Sequence, residues 1–166
     1  TVLVPQAVDL LDMPVVASGG LADGRGIAAA IAMGADGFEM GTAFMAACEN
    51  MVHPNVKQAV TDAGDMSTVI TGYSTDEPCR QIKNKLANEL IAIEANHTKA
   101  EAAELLRPVA ESSLKKAMME GDMEDGAVMA GQITALIKEE RPAAVIIDAA
   151  IAEAKEILAK MPAFEF

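Results

Sequence analysis

Residues 14–44 read PVVASGGLADGRGIAAAIAMGADGFEMGTAF. Pro14 opens a short apolar run, Val15-Val16-Ala17-Ser18, that stops at Gly19-Gly20. Apolar on both faces and bounded by Pro and Gly, the run predicts a buried parallel strand. Asp23 is placed to cap a helix over 24–34 that ends at Gly34. Ile27, Ala28, Ala30, Ile31 and Ala32 give that helix a small apolar face, able to pack closely on a sheet. Asp36-Gly37-Phe38-Glu39-Met40 then predicts a second short strand, stopped by Gly41. The spacing suits one strand–helix–strand crossover with short loops.

On either side the pattern is mainly helical. Leu3, Val4, Ala7, Val8, Leu10 and Leu11 form a helical stripe over 3–11, with only Thr1 ahead of it as a cap. The first residue is not Met, so the chain is expected to start inside an element. His53-Pro54 opens a helix running to Ala63. STVITGY, residues 67–73, alternates β-branched residues and predicts a single strand or extended segment. Beyond it the reading is almost entirely helical. One helix spans 77–95. The next opens at the capping box Thr98-Lys99-Ala100-Glu101 and is kinked or split near 107 by Pro108. GDMEDG, 121–126, is a turn. A helix over 127–140 carries a face of Ala127, Ala130, Gly131 and Ala135. Arg141-Pro142 starts the final helix.

Composition sets limits on function. The chain has 166 residues, 51% hydrophobic and 23% charged, enough for a buried core. Its net charge of −12 argues against nucleic acid, which needs a basic surface. The absence of Trp argues against a base-stacking platform. No apolar run reaches the roughly 18 residues of a membrane span, so the expectation is a soluble, cytoplasmic protein. Cys48 and Cys79 lack metal-ligand spacing and are read as reduced thiols.

Glycines at strand-to-helix turns permit positive φ and let a ligand approach the backbone. In (β/α)₈ barrels a phosphate often sits between the loops after the last two strands, near a short extra helix. Gly19-Gly20 ends one strand here. Gly41-Thr42 ends the next, with a candidate short helix over 43–49 behind it. Gly20, Gly41 and Thr42 could supply backbone N–H groups to a phosphate, and Thr42 a hydroxyl. The alternative is that these glycines only serve tight turns. The glycines at 19, 20, 24 and 26 do not make G-x-G-x-x-G, so no Rossmann site is expected.

Residues 14–44 closely resemble the end of the barrel in the nitronate monooxygenase family, which includes enoyl-acyl-carrier-protein reductase II. The resemblance continues through HPNVKQAV, TVITGYSTDEPCRQIKNKL and GDMEDGAVMAGQITALIKE, the last closer to the reductase branch. It implies an α/β fold: the C-terminal part of a TIM-type (β/α)₈ barrel, its last two strand–helix units, over 1–60. A mostly α-helical region would follow over 61–166. It implies an FMN-dependent oxidoreductase. Gly19, Gly20, Glu39, Met40, Gly41 and Thr42 would surround the FMN phosphate, with Gln132 on a helix packed near the flavin. Glu39 stands where relatives usually carry Gln, and Ala43 where they carry Arg.

The resemblance also implies that the catalytic His and the flavin-ring contacts belong to an N-terminal half absent from this chain. The catalytic residue is therefore unknown, and the chain is expected to be inactive alone. The implied partners are a small-molecule or acyl-thioester substrate, and either a second copy or the missing half. For an acyl-carrier substrate, Arg80, Lys83 and Lys85 would flank the barrel mouth. His53 reads as a helix-entry residue, His97 as a surface residue and Asp23 as an N-cap. Met118, Met119, Met123 and Met129 read as packing residues. No metal cluster or acid/base pair is found. Two alternatives stand beside this reading. One is another phosphate-binding barrel of the inosine monophosphate dehydrogenase type, whose catalytic Cys loop is not visible here. The other is a non-catalytic helical module docking on a partner chain.

Overall fold

The computed structural model describes residues 2–161. The cap expected at Thr1 lies outside them. Helix α1 (Leu3–Leu10) leads into strand β1 (Val16–Ser18), helix α2 (Gly24–Ala32) and strand β2 (Gly37–Glu39). The predicted crossover is present: β1 and β2 pair in parallel, Val16 beside Gly37 and Ser18 beside Glu39. Asp23 caps α2, its side chain accepting from the N–H groups of Arg25 and Gly26. A short α3 (Thr42–Met45) and α4 (Pro54–Asp62) follow. His53 is the α4 cap, its Nδ1 accepting from Asn55 N–H at 3.2 Å.

Three expectations fail between 77 and 140. Residues 77–95 are not one helix. Cys79–Ile82 form β4, antiparallel to β3 (Thr68–Thr71), and α5 begins only at Lys85 (Lys85–Asn96). Asn84 makes that break, because its side chain caps α5 by accepting from Ala87 N–H at 2.9 Å. Residues 127–140 are not a helix either. Ile82 N–H donates to the Val128 carbonyl at 2.9 Å and Ala130 N–H to that of Arg80 at 3.2 Å, so 128–130 run as a third extended segment beside β4. Only a 3₁₀ turn, Gln132–Leu136, follows. Pro108 does not split α6 (Lys99–Ala110). It stands in the last turn, where the missing N–H costs one bond, and its neighbours Leu106 and Val109 pack on Leu86 and Leu90. The capping box at Thr98 and Glu101 forms as read.

Helices α7 (Ser113–Glu120) and α8 (Ala143–Lys160) complete the chain. By sequence α8 is remote from the crossover, yet it packs directly on α2. Ile27, Met40, Ala43, Ala150 and Ala154 form their shared core. A Cβ on Gly24 would fall 2.7 Å from the Ala150 carbonyl and against the Ala154 backbone. Gly24 is therefore demanded by this close approach. A second core joins α5 and α6 through Leu86, Leu90 and Leu106. A third joins Val56, Ala117 and Val128, with Met118 and Met123 against it in the packing role expected of them. Met119 is exposed instead.

Candidate functional site

The parallel register brings the two glycine turns to the same end of the β1–β2 pair, one strand spacing apart. Gly19 and Gly20 take φ of +91° and +73°, a region that L side chains rarely adopt. A Cβ at Gly19, Gly20 or Gly41 would meet nothing within 4 Å. Gly41 has an ordinary φ of −88°, so neither backbone strain nor packing explains its lack of a side chain. Among the described residues, the backbone N–H groups of Gly20, Gly41, Thr42 and Ala43 have no hydrogen-bond acceptor. Unpaired backbone donors beside glycines with open space are the elements an anion cradle uses.

The six residues of the predicted set are not equivalent. Alternation along β2 turns the Met40 side chain into the α2–α8 core, where it is 7% exposed. Met40 can offer only its backbone. The Glu39 side chain is exposed, on the face shared with Ser18. Its charge there opposes an anion. Thr42 Oγ1 accepts from Gly131 N–H at 3.0 Å and keeps its own proton to donate. That bond fastens the 131–136 turn to the cradle. Gln132 follows at once in the chain and is exposed, on a 3₁₀ turn rather than the expected helix.

The N-terminus of α2, the neighbouring anion site by geometry, is closed by the protein's own carboxylates. Gly24 N–H donates to Glu153 Oε2 of α8 at 2.8 Å. Arg25 N–H donates to Asp23 Oδ1 at 3.0 Å and Arg25 Nε to Oδ2 at 2.8 Å. Burial alone would push the Asp23 carboxyl up, but hydrogen bonds from the Arg25 guanidinium and the Gly26 and Arg25 N–H groups hold it below its usual range.

Of the basic residues expected near the mouth, Arg80 lines a groove of about 390 Å³ together with Gly41, Thr42 and Gly131. Its guanidinium donates to Thr68 Oγ1 at 3.1 Å. Lys85 is paired instead with Asp125 at 2.7 Å, which raises its pKa, and Lys83 is exposed. His97 is exposed at the end of α5. Cys48 and Cys79 are free and exposed. Among the described residues there is no metal-binding group of His, Cys, Asp and Glu, and no helix long and apolar enough to cross a membrane. The residue that the sequence reading missed was Gly131. Its signal was the Gly of MAGQ, read as part of a helix face.

Comparison with known proteins bears on the family and the fold. A family model described as nitronate monooxygenase matches residues 1–153. A probable nitronate monooxygenase of Staphylococcus saprophyticus is 41% identical over 88 residues, 53% of this chain and 25% of that protein. The structure of FabK from Thermotoga maritima superposes with a TM-score of 0.91 at 36% identity, covering 99% of this chain and 51% of that one. A nitroalkane oxidase from Streptomyces ansochromogenes superposes at 0.75 with 32% identity, covering 96% of this chain and 44% of that one. The chain thus spans about half or less of each of these three relatives. These neighbours are TIM-barrel oxidoreductases, and the α/β, helix-rich architecture here matches part of theirs. The chain belongs to the nitronate monooxygenase family.

Proposed function

We propose that this chain is the phosphate-holding part of an FMN-dependent oxidoreductase. The observation that carries the reading is the cradle. Among the described residues, the N–H groups of Gly20, Gly41, Thr42 and Ala43 are unpaired, and no atom lies within 4 Å of a Cβ placed on Gly19, Gly20 or Gly41. A phosphate monoester fits such donors, and backbone groups bind it without a cationic surface. Gly19 and Gly20 would shape the first turn, and Thr42 would add its hydroxyl. When bound, the flavin would supply the electron transfer, while this chain would anchor and orient it. Glu39 sets an upper limit on affinity through charge repulsion.

The exposed apolar surface beside β1 fits a half-barrel that needs further strands. Val2, Leu3, Leu10 and Val16 are each more than half exposed, although parallel sheets are ordinarily covered on both faces. In this reading the chain alone is inactive. The missing strands carry the flavin-ring contacts and the catalytic group, and join it as the rest of a longer polypeptide. The preferred substrate is an enoyl thioester, because the superposition with FabK is closer and more complete than that with the nitroalkane oxidase. A nitronate is the second reading, favoured by the family match.

Flavin-fluorescence titration of the longer protein tests the cradle. Gly41→Asp should abolish FMN binding at micromolar flavin while the circular dichroism spectrum is kept. Unchanged affinity in that variant would sink the proposal. Turnover of a short enoyl thioester against an alkyl nitronate then chooses between the substrates.

A further inference from the structure

Lys57 puts a charge where the chain is otherwise apolar. It is 6% exposed, on the face of α4 that also buries Val56 and Val60. A lysine is rarely buried so far unless its ammonium is paired and hydrogen-bonded. Lys57 Nζ donates to the Ala47 carbonyl at 2.8 Å and to that of Cys48 at 3.1 Å, and Glu140 Oε2 stands 3.5 Å away. A well-packed apolar side chain of similar volume would fill the same space without desolvating an ion. The charge is therefore explained by what it holds, not by the space it fills.

It holds the far end of α3. Ala47 and Cys48 follow that helix directly, while Gly41, Thr42 and Ala43 stand at its start. Four residues are too few for a helix to be stable through its own bonds, so the direction of α3 is imposed from outside. At its start Thr42 Oγ1 accepts from Gly131 N–H at 3.0 Å. At its end Asn50 Nδ2 donates to the Phe44 carbonyl at 2.9 Å, and Lys57 takes the carbonyls of Ala47 and Cys48. Lys57 is itself well anchored, because its neighbour Val56 packs with Val128, in the extended segment that leads to Gly131. Both ends of α3 are thus fastened to one packed body.

We propose that Lys57 is a positioning residue for the phosphate, acting through α3: its ammonium sets the aim of the Gly41, Thr42 and Ala43 N–H groups. This role rests on the phosphate-holding reading of those groups. Backbone donors hold an anion well only at the right distance and angle, and a small rotation of so short a helix misdirects all of them together.

The experiment titrates FMN and riboflavin, which lacks the phosphate, into the longer protein by flavin fluorescence. The parent should prefer FMN. Lys57→Met should weaken FMN binding about tenfold and leave riboflavin binding unchanged, whereas general damage to the fold would weaken both alike. An unchanged FMN-to-riboflavin ratio in Lys57→Met overturns the proposal. Asn50→Ala removes the half-buried tether on Phe44 and keeps the test alive should Lys57→Met fail to fold. It should lower the same ratio by about threefold, and an unchanged ratio there shows that the tethers at the end of α3 do not aim its start. A parent that binds the two flavins equally overturns the phosphate-holding reading itself, an outcome distinct from a parent that discriminates and a variant that still does.

Discussion

Gly24 and Gly41 occupy matching places, one at the start of α2 and one at the start of α3, and each follows a strand of the same parallel pair. Their surroundings are opposite. The space beside Gly24 is filled by the backbone of α8, and the space beside Gly41 is empty. Two carboxylates, Asp23 and Glu153, take the N–H groups at Gly24, Arg25 and Gly26. Among the described residues, no acceptor takes those at Gly41, Thr42 and Ala43. One glycine turn is taken up by packing, and the other has open space beside it. Residue type alone could not separate them, since the difference lies in a helix more than a hundred residues away.

The largest effect should come from closing the first space. Gly24→Ala drives a methyl group into the backbone of α8, where no side chain can move aside, and should cost about 3 kcal/mol. Urea denaturation measures it. A change within about 0.5 kcal/mol, the range of ordinary surface substitutions, would show that α8 does not seat on α2 as described. Asn84→Ala should follow at about 2 kcal/mol. It removes the cap on Ala87 N–H and two bonds, to the Met123 carbonyl at 3.0 Å and the Gly126 carbonyl at 2.7 Å. Loss of the far-ultraviolet helical signal without loss of the 121–126 tether, seen by hydrogen exchange at Leu86, would assign Asn84 to the cap alone.

Gly41→Ala sharpens the contrast. The methyl group meets nothing and the backbone is already helical, so stability should stay within about 0.5 kcal/mol of the parent or rise slightly. Flavin affinity should fall about tenfold, because the ligand must give way instead. If the same substitution destabilised the fold and spared binding, the roles of the two turns would be reversed.

The crossover at 14–44 was legible because its determinants are local: a glycine pair, an Asp cap and two short apolar runs, each acting within a few residues. The helix over 143–160 was legible for the same reason, although its partner was not. The 77–84 and 127–140 stretches were misread because their backbone bonds are made across the chain. Gln81 and Arg80 are claimed by β3 on one side and by 128–130 on the other, which overrides the helical tendency of their neighbours. Gly19, Gly20, Gly41 and Thr42 follow the ends of β1 and β2, as the strand pattern predicts. The clamp from Gly131 onto the Thr42 hydroxyl spans 89 residues, and no local pattern encodes it.

The smallest predicted effect concerns the charge that closes α2. Asp23 titrates below its usual range in the folded protein, so its contribution to stability is present above the unfolded value near pH 4. It is lost as pH falls through the lower, folded value. Asp23→Asn keeps a capping oxygen but removes the charge facing Arg25, and Asn caps helices about as well as Asp. The variant should therefore be weaker than the parent by under about 1 kcal/mol at pH 7, since the pair with Arg25 is exposed to solvent. The gap should narrow between pH 7 and pH 3. Urea midpoints at the two pH values test this directly. A gap that persisted undiminished in acid would mean that Asp23 acts through cap geometry alone. The seal at the N-terminus of α2 would then owe its charge to Glu153, whose bond to Gly24 N–H ties the closing of this turn to the docking of α8.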